Sequence, residues 1–255
     1  MARCVFITGA SSGIGAALAG HYAREGAILG LVARRSDALQ ALAARLSTRT
    51  ATYAADAGDR VAMRAAAEDF VARHSVPDIV IANAGISVGT SGGEQSDLPV
   101  LEELLRTNVA GLAATLTPFV APMLSRGSGV LAGIASVAGF RGLPGAGAYS
   151  ASKAAAIAWL ESLRVELHGS GVAVVTVCPG YIDTPMTRGN AYRMPFLLAA
   201  DEAARRIARV IDAQRSFAVV PWQMAIVGYA LRRLPNWLYD AFGARAPRKA
   251  RRISP

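Results

Sequence analysis

At 255 residues, with 53% apolar and 18% charged side chains, the chain can bury a sizeable core in one large domain or two small ones, which excludes a disordered or low-complexity protein. The net charge of +9 is concentrated, because Arg245, Arg248, Lys249, Arg251 and Arg252 crowd the C-terminal end and the body before them is only mildly basic. Lacking interleaved aromatics or a binding module, that end reads as a solvated tail, and no nucleic acid is expected among the partners.

Taken from the N-terminus, the chain opens without a basic region leading into a long apolar segment. No stretch is read as reaching the ~18 apolar residues that span a bilayer, so a cytoplasmic location is expected. Cys4 and Cys178 fall in separate apolar runs and suit small buried hydrophobes better than a disulfide or a zinc site, and no metal is expected. Apolar, β-branched runs near residues 3–8, 27–33, 50–55, 78–82, 129–135 and 172–178 predict strands. Between them, Gly13–Glu25, Ser36–Leu46, Arg60–His74, Leu101–Leu124 and Tyr149–Gly169 are long enough for crossover helices. A seventh strand is expected at Phe217–Pro221. That alternation predicts an α/β fold, a single doubly wound, mostly parallel seven-stranded sheet flanked by helices.

Directly after the first predicted strand stands Thr8-Gly9-Ala10-Ser11-Ser12-Gly13-Ile14-Gly15, opening the first helix. A glycine-rich turn in that position brings backbone N–H groups and a helix N-terminus to a pyrophosphate, and glycine lets the backbone approach without a Cβ. Its spacing, Gly-x3-Gly-x-Gly, is not the commonest dinucleotide fingerprint. Gly9, Ser11, Ser12, Gly13, Ile14 and Gly15 are therefore candidate cofactor contacts in a Rossmann-type fold. At the end of the second strand, where an acid would meet a ribose 2′-hydroxyl, the sequence has Arg34 and Arg35. Two guanidinium groups there favour a 2′-phosphate, and NADP(H) over NAD(H).

Tyr149 and Lys153 lie four residues apart, on one face of a helix, in a chain that has arginine at all but two of its 27 basic positions. The retained amine is a compact cation that could stabilise a phenolate, whose free pKa near ~10 is too high for ready proton exchange at neutral pH.

With these residues the chain resembles the short-chain dehydrogenase/reductase family from about residue 4 to 186. The resemblance implies that Asp56, followed by Ala57, contacts the adenine, and that Asn83, Ala84 and Gly85 support the sheet beside the adenosine ribose. It implies that Pro179, Gly180, Ile182 and Thr184 hold the nicotinamide carboxamide, and that Asn108, Ser136, Tyr149 and Lys153 form the catalytic tetrad. In reduction Tyr149 would give a proton to a carbonyl oxygen that Ser136 also holds. Lys153 would lower the tyrosine pKa and hold the nicotinamide ribose, and Asn108 would anchor a water leading from Lys153 to solvent.

Residues of about 185–200 are expected to close over substrate. Met186, Tyr192, Met194 and Phe196, with Ser136 and Tyr149, are the candidate substrate contacts, and they favour an apolar ketone, aldehyde or alcohol; Met194 and Phe196 are equally compatible with the packing face of a helix. Residues 1–222 are assigned to the NADP-binding and catalytic domain, and 223–255 to a C-terminal helical appendage and basic tail. In the appendage Val227, Leu231, Leu234, Leu238 and Phe242 repeat at helical spacing and Pro235 interrupts the run. Self-packing or oligomer contact, in a homodimer or homotetramer as the family implies, is favoured there over peripheral contact with an acidic membrane. The functional expectation is an NADPH-dependent oxidoreductase. The alternatives are a 3-oxoacyl reductase of lipid metabolism and a non-catalytic NADP(H)-binding regulator.

Overall fold

The computed structural model describes residues 2–190 and 192–251, so Arg252 of the basic run lies outside the described residues. The first half runs β1 (Cys4–Thr8), α1 (Gly13–Arg24), β2 (Ile28–Ala33), α2 (Ser36–Ala43), β3 (Thr50–Ala54), α3 (Arg60–His74), β4 (Ile79–Ala82), α4 (Leu98–Leu105) and α5 (Gly111–Arg126). It continues β5 (Gly129–Ile134), α6 (Gly147–Glu166), β6 (Val172–Pro179), β7 (Ile182–Asp183), β8 (Leu198–Ala199), α7 (Ala200–Asp212), β9 (Phe217–Val220), α8 (Gln223–Arg233) and α9 (Asn236–Gly243). Seven strands form one sheet in the order β3-β2-β1-β4-β5-β6-β9, every pair parallel. The short β7 and β8 pair separately.

Strands buried on both faces need continuous apolar runs rather than alternation, and β1, β4 and β6 supply them. On one face α1, α2 and α7 bury Leu18, Tyr22, Leu39, Ile207 and Ile211 against Ile7 and Leu29. On the other, α3, α5 and α6 bury Phe70, Leu116, Phe119 and Leu160 against Phe6 and Leu131. Gly30 in β2 makes room there: a Cβ would stand 2.5 Å from Phe6 and 2.7 Å from Phe70, whose rings meet edge to face at 5.4 Å.

The expected single helix Leu101–Leu124 is two helices. Between α4 and α5 the residues Arg106–Ala110 form a π turn, which admits one residue more than a regular turn and swings Thr107 and Asn108 into the interior. A second amendment concerns apolarity, since the continuous helical segment Gln95–Arg126 is long and apolar enough to cross a membrane by composition. Its Leu104, Leu112, Leu116, Phe119 and Met123 are buried within this fold, as the apolar residues of a core helix are.

In the appendage, Val227, Leu231, Leu234 and Leu238 are half-buried, whereas Phe242, expected on the same stripe, is 67% exposed. Pro235 ends the first register and α9 starts a new one. Arg141 fastens both helices to the body. Its Nη1 donates to Leu231 O and Leu234 O at 2.5 and 2.6 Å, its Nη2 to Asn236 Oδ1 at 2.9 Å, and its guanidinium stacks 3.9 Å from the Tyr239 ring centre. The basic end qualifies the sequence reading: Arg248, Ala250 and Arg251 are solvent-exposed as expected, yet residues 248–251 do not run free. They lie along the loop after β4, where Gly89 bridges to Arg251.

Candidate active site

In a parallel sheet with this strand order, ligands enter beyond the C-terminal strand ends, where the crossovers leave β1 and β4 in opposite directions. A cleft of about 440 Å³ opens there. Its walls include Gly9, Ser11, Ser12, Gly13 and Ile14 from the first turn, and Arg34 and Arg35 after β2. Asp56 and Ala57 follow β3, Asn83, Ala84 and Gly85 follow β4, and Pro179, Gly180, Ile182, Thr184 and Met186 follow β6. At the far end stand Ser136, Tyr149 and Lys153. Val32, Ala33, Ala55, Ile86, Thr107 and Thr187 also line it and were not singled out from sequence, because small and β-branched residues at strand ends carry no chemical signature.

The glycine turn is braced from the neighbouring strand. Asn83 Nδ2 donates to Thr8 O at 3.0 Å and Gly9 O at 3.3 Å, while the Thr8 hydroxyl accepts from the backbone N–H of Asn83 and Ala84. Gly9 and Gly13 adopt left-handed φ of 67° and 57°. Gly15 does not line the cleft. It is buried behind the turn, where a Cβ would lie 2.4 Å from Gly9 O. Ser12, the N-cap of α1, makes no side-chain capping bond, and Gly13 and Ile14 of the first helical turn line the cleft, so its N-terminal donors are left for a ligand. Donors without partners and room for close approach are what a pyrophosphate requires, so the residues fit a dinucleotide. Arg35 Nη2 reaches Ser11 Oγ at 3.3 Å across the cleft wall, and both Arg34 and Arg35 are solvent-exposed. Asp56, the one acid among the described residues of that lining, accepts from Gly58 N at 2.9 Å and pairs with Arg106 at 3.6 Å.

At the reactive end Lys153 is 4% exposed, and its Nζ donates to Ile134 O at 2.8 Å. That ammonium lies 5.9 Å from the Tyr149 ring centre, so the two side chains face the same space. Ser136 caps the short turn after β5. Its Oγ accepts from Ala138 N at 3.1 Å, makes a long 3.5 Å contact to Pro179 O and is hydrogen-bonded to the Tyr149 hydroxyl, so both hydroxyls meet at one point of the cleft.

The electrostatics differ from the sequence expectation. Lys153 was expected to lower the Tyr149 pKa, yet burial dominates and pushes the phenol up; the Ser136 hydroxyl, hydrogen-bonded to it, pulls it back, and Tyr192 and Cys178 add to the rise. Desolvation acts on the amine in the opposite sense and brings Lys153 down to about 8. Burial likewise pushes the Cys178 thiol up to about 12. Each group is driven toward its neutral form, because burial takes away the water that would solvate its charge.

Asn108 does not line the cleft either. From the π turn its Oδ1 accepts from Ile86 N at 2.9 Å, and its Nδ2 donates to Ile86 O at 3.0 Å and Ser152 Oγ at 2.9 Å. Ser152 in turn donates to Tyr149 O at 2.8 Å. Both amide donors are thus spent on protein, leaving Oδ1 for any water bridge. Gly85 keeps the space between Asn108 and Lys153 open: a Cβ there would lie 3.2 Å from Oδ1 and 3.5 Å from Nζ. Ser152 and Ile86 were missed in the sequence, since neither residue type nor spacing marks a buried tie.

Of the four lid candidates, Met186 lines the cleft and Tyr192 lies close enough to act on Tyr149, with its ring 6.3 Å from that of Tyr181. Met194 and Phe196 lie outside the cleft lining. The Met194 sulfur accepts from Asn190 Nδ2 at 3.7 Å, and Phe196 is 49% exposed.

The profile of the family described as short chain dehydrogenase matches residues 3–193. An uncharacterized oxidoreductase of Myxococcus xanthus (strain DK1622) is 39% identical over 251 residues, spanning 95% of this chain and 97% of its own. A 2-dehydro-3-deoxy-L-rhamnonate dehydrogenase (NAD(+)) of Sphingomonas sp. (strain SKA58) is 36% identical over 184 residues, 72% of this chain and 74% of that one. Among solved structures, a 3-ketoacyl-ACP reductase from Sinorhizobium meliloti 1021 superposes with a TM-score of 0.76 at 27% identity, covering 85% of this chain and 97% of that one.

Proposed function

The chain belongs to the short chain dehydrogenase family, and from that membership we propose an NADPH-dependent oxidoreductase that interconverts a carbonyl and a secondary alcohol, reducing an apolar ketone or aldehyde. One observation carries the reading: the glycine turn, Ser136, Tyr149 and Lys153 converge on a single cleft whose reactive end is enclosed by protein.

A bound nicotinamide supplies hydride to the carbonyl carbon. The protein's part is the proton and the geometry. Tyr149, kept protonated by burial, donates its hydroxyl proton to the carbonyl oxygen as that oxygen gains charge. Ser136 Oγ, already beside the Tyr149 hydroxyl, donates to the same oxygen and fixes its position. Lys153, charged below a pH of about 8, stabilises the phenolate left behind and offers donors to the nicotinamide ribose. Asn108 and Ser152 hold Ile86 and the Tyr149 carbonyl, so the proton donor keeps its distance from the cofactor loop.

Cofactor choice rests on Arg34 and Arg35 rather than on kinship, since the Sphingomonas relative is named for NAD(+). Both guanidinium groups line the cleft where a 2′-phosphate would lie, and no carboxylate from the end of β2 is there to bond a bare ribose. The test is NADPH and NADH absorbance loss against a panel of apolar ketones and aldehydes. The expected catalytic efficiency is higher with NADPH by at least about tenfold, the worth of one charge-assisted pair. Equal or reversed preference removes the NADP assignment, and no turnover across the panel removes the substrate class. A 3-oxoacyl thioester belongs in that panel, because the Sinorhizobium structure is a reductase of such a substrate.

A further inference from the structure

Residues 248–251 have a seat prepared for them along the loop that follows Ile86 of the cleft lining. Two glycines open it: a Cβ at Gly89 would meet the Lys249 carbonyl oxygen, and one at Gly145 would stand 2.7 Å from Arg248 Cβ. Gly89 N donates to Ala250 O at 3.1 Å, and Lys249 Nζ donates to Ser87 Oγ at 2.8 Å. Arg251 completes the attachment with a two-pronged grip on Asp97, Nε to Oδ2 at 3.0 Å and Nη2 to Oδ1 at 3.1 Å. Asp97 also accepts from Ser91 N at 2.6 Å, and its side chain is only 7% exposed, so losing Arg251 would strand a largely covered carboxylate.

The residue next to Gly89 touches the catalytic helix. Thr90 bridges to Ala146, its N–H donates to Gly145 O at 3.0 Å, and its Oγ1 accepts from Ala148 N at 3.3 Å. Helix α6 begins at an alanine N-cap with no side chain to satisfy its first donors. Thr90, from a loop more than fifty residues earlier, supplies the missing cap, and the residue after Ala148 is Tyr149. A continuous path thus leads from residues 248–251 through Gly89 and Thr90 to the first turn of α6.

We infer that Arg251 is a positioning residue: with Asp97 it anchors the strap 248–251 across the loop after β4, and through Thr90 the strap fixes the first turn of α6 and hence the Tyr149 hydroxyl. The inference rests on the reading of Tyr149 as proton donor. Arg251→Gln, Asp97→Asn and the double variant are compared with the full chain for kcat, NADPH affinity, Tm and hydrogen exchange at the Ala148 amide. The expected result for either single variant is a kcat lowered about tenfold, the cost of a small misplacement, with NADPH affinity within about twofold. Exchange at Ala148 is faster in both, and the double variant is no worse than either single, because both break one attachment. Arg245→Gln removes the same charge outside the seat and leaves every readout unchanged. The inference is overturned if single variants keep kcat within twofold, if their losses add in the double variant, if Ala148 exchange is unaltered, or if NADPH affinity falls together with kcat and Tm. If the unaltered chain turns over no substrate, the proton-donor reading has failed, and the exchange measurement still decides whether the strap holds α6.

Discussion

Lys153 holds its charge in an enclosed place, with a backbone carbonyl as its hydrogen-bond partner, and the consequence is a pH limit. Burial lowers its pKa from 10.5 to about 8, so the ammonium is present below that value and lost above it. Reduction rate is therefore expected to fall as pH rises through about 8, and a kcat/KM profile measured from pH 6 to 10 checks it; a flat profile across that range detaches catalysis from Lys153. Tyr149→Phe removes the proton and keeps the ring, so turnover should drop by about 100-fold or more while NADPH affinity, read by fluorescence titration, stays within about twofold. At this scale the sequence was legible where chemistry imposes spacing. Tyr149 and Lys153 on one helical face, and glycines between a strand and a helix, could be read without coordinates. The direction of the Tyr149 shift could not, because enclosure depends on what the remainder of the chain places around the phenol. The pairing of Asp97 with Arg251 was equally hidden, since no local pattern links residues 154 positions apart.

Gly15 shows how an element can depend on one missing methyl group. It packs its backbone against Gly9 O and Asn83, and a Cβ would stand 2.4 and 2.5 Å from them. Gly15→Ala should therefore displace the turn from β4, lowering NADPH affinity about tenfold or more and stability by about 1–3 kcal/mol, as overpacking does. Cofactor titration and chemical denaturation check both. Arg141→Ala should release α8 and α9 from the body at a cost of about 2 kcal/mol, from lost bonds to carbonyls and a lost aromatic stack, read as a lowered denaturation midpoint. The sheet strands and most crossovers were legible because parallel strands covered on both faces must be uninterrupted apolar runs, as in β1, β2 and β6. The division of one expected helix into α4 and α5 was not. Nothing in Arg106–Ala110 breaks a helix by residue type, and only the tertiary bonds of Asn108 favour the wider turn.

At the scale of the whole molecule, one end of the sheet is left unfinished. Strand β9 is the edge, and close to it in sequence Phe217 is 39%, Trp222 64% and Ile226 62% exposed, with Trp237 at 73% and Phe242 at 67% further along. So much aromatic surface beside an open strand favours coverage by another subunit, and the sedimenting mass is expected to be at least twice 26.5 kDa; a monomer at micromolar concentration would end that expectation. The doubly wound architecture could be read from the chain, but not that residues 248–251 fold back along the loop after β4, because that depends on Gly89 and Gly145 lying side by side in space. The π turn has a consequence on this scale too. One surplus residue shifts the azimuth of everything after it by about 100°. Losing a single codon between 106 and 110 would force a choice between keeping Leu112, Leu116 and Phe119 against the sheet and keeping Asn108 turned toward Ile86. The long rod from α4 to α5 therefore behaves as a ruler with a fixed tally, in which substitutions are negotiable and changes of length are not.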